Sequence, residues 1–271
     1  MVNPNSDILF DLYQTSNMIC PQTGKENCMD KHSKSHRIDI HAHILPGVDD
    51  GARSLEEACA LIQQAANDGF TAIIVTPHYS RRRGTSGYGE IFDELKKEVN
   101  QRFPGFQLYL GHETYYHEEL AERIKEGNAY TLADSRYVLV EFDNGVSFQT
   151  INRAVRRLLT SGYLPVIAHM ERYYCLREPK NLQNIYSSGC YFQMNYESLE
   201  GHWFQPEVRW CRNQVKEGKI HFLGTDMHRT DYRPPETEKA MKWLESHVDE
   251  DIVRNITYEN AMRVIRNEKI N

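Results

Sequence analysis

Residues 37–51 read RIDIHAHILPGVDDG. A strand-like apolar run holds His41 and His43, a Pro46-Gly47 turn follows, and the adjacent Asp49 and Asp50 come next. Imidazoles and carboxylates in an apolar stretch cost burial energy unless each has a partner. His41 and His43 are two residues apart, so on a strand they point to one side. Two imidazoles on one side are placed to hold a metal ion.

Other apolar runs end in the same way. TAIIVTPH (71–78) ends at His78, QLYLGHE (107–113) at Glu113 and LPVIAH (164–169) at His169. YVLVEF (137–142) carries Glu141 near its end, and IHFLGTDMH (220–228) carries Asp226 and His228. Only YFQMN (191–195) differs, ending in Asn195. Between these seven strand candidates lie helix candidates: 54–68, 91–103, 148–162, 179–189, 206–218, 236–247 and 260–267. In the first, Ser54 and Glu57 have capping-box spacing and Gly69 suits the exit. Strands separated by helices pair in parallel through right-handed crossovers. In a barrel of such strands the C-terminal ends share one face, and that face carries the active site. The pattern therefore predicts an α/β barrel, single-domain from about Arg37 to the C-terminus (37–271). Residues 1–36 are polar and read as a partly ordered N-terminal extension.

The chain has 271 residues, 40% hydrophobic and 26% charged, with a net charge of −6. These values suit a soluble globular protein and disfavour nucleic-acid binding. No apolar run reaches the length of a membrane span, and the first residues lack a signal-peptide pattern. The six cysteines are scattered, so they read as reduced thiols of a cytoplasmic protein. Cys20 and Cys28 as a metal or disulfide pair is the lesser reading. A ligand set of imidazoles and carboxylates without thiolate disfavours a structural zinc site and suits Mn²⁺, Fe²⁺ or Zn²⁺ in a hydrolytic cluster. The candidate ligands are too many for one ion, so two or three are expected.

DIHAHILPGVDDG, TPH, GHETYY, VEF, VIAHMERY and TDMH followed by RPP together resemble the PHP (polymerase and histidinol phosphatase) superfamily. The resemblance is closest to its bacterial manganese-dependent protein-tyrosine phosphatases of capsule and exopolysaccharide operons. It implies a distorted (β/α)7 TIM-like barrel with a trinuclear metal site. It assigns His41, His43, Glu113 and Asp226 to a first ion. Glu113 would bridge to a second, held also by Glu141 and His169, and Asp50, His78 and His228 would hold a third. Arg172 and Arg233 match arginines that bind the substrate phosphate. The implied partner is a phosphotyrosine protein, the tyrosine-rich tail of a bacterial tyrosine kinase, with oligomer formation left open. His112 beside Glu113, where the family often has a small residue, and the long extension before Arg37 depart from the family pattern.

The chemistry expected of such a site is attack on phosphorus by a hydroxide bridging two ions, with the arginines and the third ion holding the phosphoryl oxygens. No general acid stands out. Cys59, Cys175 and Cys211 each lack an arginine six residues on, which excludes a thiol phosphatase loop. Asp49 reads either as a partner orienting a ligating histidine or as a turn residue. Asp39 reads as a hydrogen-bonding residue near the ligands. Arg81, Arg82 and Arg83 read as a solvated loop or as an electropositive rim. The alternatives are a small-molecule phosphatase of the histidinol-phosphatase type, a metal-dependent amidohydrolase, and a metal-dependent binding module without catalysis.

Overall fold

Every pairing between the named strands is parallel. These strands belong to a computed structural model that describes residues 36–80 and 84–270. Apart from His36, the N-terminal extension lies outside the described residues, as do Cys20, Cys28 and Arg81, Arg82 and Arg83. Among the described residues the strands are β1 (Arg37–Ala42), β2 (Phe70–Val75), β3 (His78–Tyr79), β4 (Gln107–Leu110), β5 (Glu113–Tyr115), β6 (Tyr137–Glu141), β7 (Leu164–Ile167), β8 (Tyr191–Asn195) and β9 (Phe222–Gly224). They form a sheet of order β1-β2-β4 and a second of order β3-β5-β6-β7-β8-β9.

All seven expected strands are present, but two are interrupted. Pro77 cannot donate to a ladder and parts β2 from β3. Gly111 and His112 part β4 from β5, and a Cβ on Gly111 would meet Leu132 Cα at 3.1 Å. Backbone bonds cross both gaps: Gly111 donates to Val75 (2.8 Å) and Glu113 to Pro77 (3.3 Å). At the other side, Asp226 N donates to His41 O (2.9 Å) and His43 N to Met227 O (2.8 Å). The two curled sheets thus approach along both of their margins.

Alternation along the strands sends successive residues to opposite faces. Val75, Val140 and Met194 pack with Leu61, Ile62 and Leu158 on the helices α1 (Leu55–Asn67) and α4 (Phe148–Thr160). Ile74, Leu139 and Val166 instead join Val264 and Ile270 near the C-terminus. Tyr137 and Tyr191 fasten that end, because Tyr137 Oη donates to Glu268 O (2.8 Å) and Tyr191 Oη to Ile270 O (3.2 Å). With both faces covered, β1 is buried along its whole length.

Ser54 Oγ accepts from Glu57 N (3.2 Å), as the cap spacing predicts. The reciprocal half is redirected: the Glu57 carboxylate accepts from Arg53 N (2.9 Å) rather than from Ser54. Gly69 ends the turn at φ +94°. The helix expected from residue 91 begins earlier, as α2 (Tyr88–Arg102), because Gly87 at φ +79° makes the turn into it. The short helices α3 (Leu120–Lys125) and α8 (Glu250–Arg254) are too brief to leave a periodic signal in the sequence.

The loop after β1 folds back on itself. Ala52 N donates to His43 O (2.9 Å), Gly47 N to Ala52 O (2.8 Å), and a Cβ on Gly51 would fall 1.9 Å from His43 O. Gly51→Ala should therefore push the loop off His43 and destabilise the fold by about 1–3 kcal/mol, read as a lower denaturant midpoint. An unchanged midpoint would mean that the loop yields freely.

Candidate metal centre

The strand ends bring all nine expected metal-ligand residues together. His41 and His43 come from β1 and its exit, with their Nε2 atoms 3.2 Å apart. Glu113 opens β5 opposite His78 on β3, and Glu141 ends β6 opposite Tyr115. His169, Asp226 and His228 follow β7 and β9. Glu113 is the hub. Its carboxylate lies 2.7 Å from His169 Nε2, 3.3 Å from His41 Nε2, 3.2 Å from His43 Nε2 and 3.1 Å from His78 Nδ1. His78 Nδ1 is also 3.3 Å from Glu141, and His41 and His43 are each 3.4 Å from Asp226 Oδ1. Asp50 stands at the outer side, 3.5 Å from His78 Nε2 and 3.8 Å from His228 Nε2.

Among the described residues, three groups form in which the donor atoms of each group lie within 4.8 Å of one another: His43, Asp50, His78 and His228; His41, His43 and Asp226; and His78, Glu113 and Glu141. His43 and His78 each belong to two groups, so the partition is less tidy than the one implied by resemblance. His169 adjoins the last group through Glu113, and lies 3.9 Å from Glu141.

Polar partners hold the far side of several rings. His41 Nδ1 meets Gln193 Oε1 (3.1 Å), His43 Nδ1 meets Asp49 Oδ2 (3.0 Å) and His228 Nδ1 meets Asp226 O (2.8 Å). With Nδ1 donating to oxygen, each Nε2 lone pair faces the cage, the arrangement of metal-ligating imidazoles. Asp49 also accepts from His78 N (2.9 Å) and Gly51 N (3.0 Å). It braces the His43 ring and the backbone of His78 and also shapes the turn. Asp39 accepts from His41 N (3.1 Å) and from the backbone and hydroxyl of Thr225, which ties β1 to the segment that carries Asp226.

Electrostatics follow from this crowding. Burial alone would push the Glu113 and Asp226 carboxyls up, but the surrounding histidines, His41 foremost, hold both well below the usual carboxylate range. Burial opposes charge on His41, His43 and His78, yet the carboxylates beside them raise all three. His228 is pushed down to about 4 by burial and by His43. Protons on imidazoles here stand in for cations among clustered carboxylates. Divalent ions fit the same donors, because deprotonated imidazoles and carboxylates are what such ions bind.

Arg172 Nη2 and Arg233 Nη1 both donate to Asp226 Oδ2, at 2.7 Å and 2.9 Å. Both expected arginines therefore reach the cage and share one carboxylate. His169 (φ +31°), Asp226 (φ +53°) and Arg233 (φ +58°) hold left-handed backbone. Such strain persists only where surrounding contacts over-determine it.

Residues of β8 play a part that their sequence did not announce. Gln193 Oε1 accepts from His41 Nδ1 and from His169 N (2.6 Å), and Gln193 Nε2 donates to Asn195 Oδ1 (2.9 Å). Asn195 Nδ2 in turn donates to Asp226 Oδ2 (3.0 Å). The run that departs from the His-or-acid pattern in the sequence, YFQMN, thus supplies amides that brace His41, His169 and Asp226; its odd ending was the available signal. Tyr173 Oη accepts from Phe142 N (3.0 Å) and lies 3.5 Å from His169 Nδ1. His112 sits below the cage, stacked on Tyr79 and Tyr130, accepting from Tyr130 N (2.9 Å) and pushed down to about 3 by burial. It is a neutral structural histidine.

The sequence pattern of the family described as capsular polysaccharide synthesis, CpsB/CapC, matches residues 37–266. The chain belongs to the CpsB/CapC family. It is 32% identical over 244 residues to the tyrosine-protein phosphatase CpsB of Streptococcus agalactiae serotype V, covering 86% of this chain and all of that protein. It is 30% identical over 241 residues to the tyrosine-protein phosphatase YwqE of Bacillus subtilis, covering 86% of this chain and 93% of that one. A crystal structure from work on YwqE of Bacillus subtilis and CpsB of Streptococcus pneumoniae, described as metal-dependent tyrosine phosphatases, superposes with a TM-score of 0.78 at 29% identity. That match covers 86% of this chain and 96% of the other. An organophosphorus hydrolase of Deinococcus radiodurans superposes with a TM-score of 0.55 at 12% identity and shares the fold alone. The resemblance read from the motifs thus holds over most of the CpsB/CapC-like chain.

Glu113 is 1% exposed and touches four imidazoles, whereas the Asp50 side chain is 65% exposed and touches two. Elemental analysis should accordingly find about two fewer ions in Glu113→Ala and about one fewer in Asp50→Ala. Equal ion content in both variants and the parent protein would overturn the ligand assignment.

Proposed function

We propose that the protein is a metal-dependent protein-tyrosine phosphatase acting on phosphotyrosyl protein of a capsule or exopolysaccharide system. The observation that carries this reading is the meeting of nine His, Asp and Glu donors with two arginines at one set of strand ends. The names of the relatives support the same activity over nearly their whole lengths. The substrate we assign is the tyrosine-rich tail of a bacterial tyrosine kinase, which places the reaction in the cytoplasm. Among the described residues, no helix is long and apolar enough to cross a membrane and the described cysteines are free.

The finer fold assignment is a distorted (β/α)7 barrel. Counting β2 with β3 and β4 with β5 as single interrupted strands leaves seven, and the bonds between Asp226 and His41 and between His43 and Met227 join last to first. Two to three Mn²⁺ ions are the assigned cofactors, with Fe²⁺ or Zn²⁺ as substitutes. His41, His43, Glu113 and Asp226 would hold one, Glu113, Glu141 and His169 another, and Asp50, His78 and His228 the third.

Bound there, the ions supply an acidified water at neutral pH and charge neutralisation for a phosphoryl group. The chain's own residues do the rest. Gln193, Asp49 and the Asp226 carbonyl hold the ligand rings so that Nε2 faces inward. Arg172 and Arg233 present partly exposed guanidinium groups beside Asp226, where they would hold non-bridging phosphoryl oxygens as charge grows on them. Asp226 keeps both arginines aligned before substrate arrives. A phenolate leaves with a pKa of about 10, so an aryl ester needs little proton donation. Among the described cysteines, burial pushes the Cys211 thiol up to about 12, which suits no nucleophile.

Exhaustive chelation should abolish turnover of a phosphotyrosine peptide, and Mn²⁺ should restore it. The same holoenzyme should act much more slowly on a phosphoserine peptide and on histidinol phosphate. Full activity in metal-free protein would sink the mechanism, and preference for histidinol phosphate would favour the small-molecule reading.

Arg172→Lys and Arg233→Lys should fold, keep their ions and lose roughly a hundredfold in kcat/KM, or about 3 kcal/mol of transition-state stabilisation. Lysine cannot reproduce the two-pronged guanidinium contact. Parent-like rates with either variant would show that the phosphate is held elsewhere.

A further inference from the structure

Among the described residues, the large apolar side chains left exposed are Tyr115, Tyr174, Trp203, Phe204 and Tyr232. In chain order Tyr115 closes β5, Tyr174 falls between β7 and β8, Trp203 and Phe204 between β8 and β9, and Tyr232 after β9. A singly exposed apolar residue needs no explanation, but one held against a cage residue does.

Tyr232 lies against a histidine of the cage. Its ring meets the His228 ring edge-on, with centroids 6.2 Å apart and planes at 85°. The guanidinium carbons of Arg229 and Arg233 lie 5.3 Å and 5.4 Å from its centre. Half of the residue nonetheless stays open to solvent, at 50% exposure. The turn that carries it is held rather than loose. Arg229 N donates to Tyr232 O (2.9 Å), Thr230 N and Oγ1 donate to the Glu57 carboxylate (3.3 Å and 3.2 Å), and Arg53 reaches Asp231 (3.2 Å). An exposed aromatic ring is thus fixed beside the arginine assigned to the phosphate.

Building on the phosphatase reading above, we propose that Tyr232 is the wall against which the aryl ring of a phosphotyrosyl side chain packs, and that it sets the preference for aryl over alkyl phosphates. A phosphoryl group held at Arg233 turns its ester substituent towards the mouth of the site. In phosphotyrosine that substituent is a rigid ring bonded directly to the ester oxygen, within reach of Tyr232 for offset or edge-to-face contact. In phosphoserine it is a single methylene, with too little surface to use the wall. Glu57 and Arg53 act here as positioning residues, since they hold the turn and touch no substrate.

Phenylphosphonate and methylphosphonate carry the same phosphonyl group with and without a ring, so calorimetry on the metal-loaded protein isolates the wall. The parent protein should prefer phenylphosphonate. Tyr232→Ala should lose about fivefold of that affinity with little change for methylphosphonate, and Tyr232→Phe should keep the preference. On a phosphotyrosine peptide the Tyr232→Ala loss should appear in KM rather than in kcat. Equal losses for both phosphonates would mean that Tyr232 merely props His228 and Arg233, and no loss for either would place the ring elsewhere; each overturns the proposal. Failure of the phosphatase reading looks different: the parent protein would then bind neither phosphonate and hydrolyse no phosphotyrosine peptide.

Discussion

The structure depends on one constraint: the Glu113 carboxylate is buried and must be compensated from every side. Four imidazoles surround it within 3.3 Å. A carboxylate so placed, with Asp226 and Glu141 close by, is tolerable only among cations or protonated rings. The compensating imidazoles come from three strands, β1 with His41 and His43, β3 with His78 and β7 with His169, so the cage forms only when the parallel strands align their C-terminal ends on one face. Satisfying this one acid therefore couples chemistry to topology.

That coupling explains the rank of residues behind the ligands. Gln193 and Asn195 on β8 connect His41, His169 and Asp226 through side-chain amides. Asp49 links His43 to the backbone of His78, and Asp39 links β1 to Thr225. Neutral amides suit β8, since another acid there would add repulsion to a site that already holds several. The left-handed backbone at His169, Asp226 and Arg233 belongs to the same arrangement. It turns the chain sharply just past the strands, so that side chains return over the strand ends.

Charge and shape change from the inside outwards. The interior holds buried carboxylates and rings, the two arginines meet on Asp226, and the half-exposed Tyr232 stands beside Arg233. Such an order suits a ligand with a compact anionic head and an apolar stem. Glu57 contributes from outside the cage: it lies in the first turn of α1 and also fastens the turn of Thr230. The start of a helix and the turn that carries Tyr232 thereby share one carboxylate.

The sequence by itself determined the seven strands, the longer helices between them and which His, Asp and Glu residues stand at the strand ends. Apolar runs ending in His, Asp or Glu are visible in one dimension because a strand end is a local feature and burial of the run leaves a hydrophobic signature. The motif order was enough to place the chain in its family. It did not reveal that Pro77 and Gly111-His112 interrupt two strands, that His43 and His78 each stand between two groups of donors, or that both arginines converge on Asp226. Nor did it give a role to Tyr232, or show that Gln193 braces His41 and His169 and that Glu57 reaches Thr230. Those facts depend on contacts between residues far apart in the chain, such as His41 with Gln193, at distances that only packed side chains define.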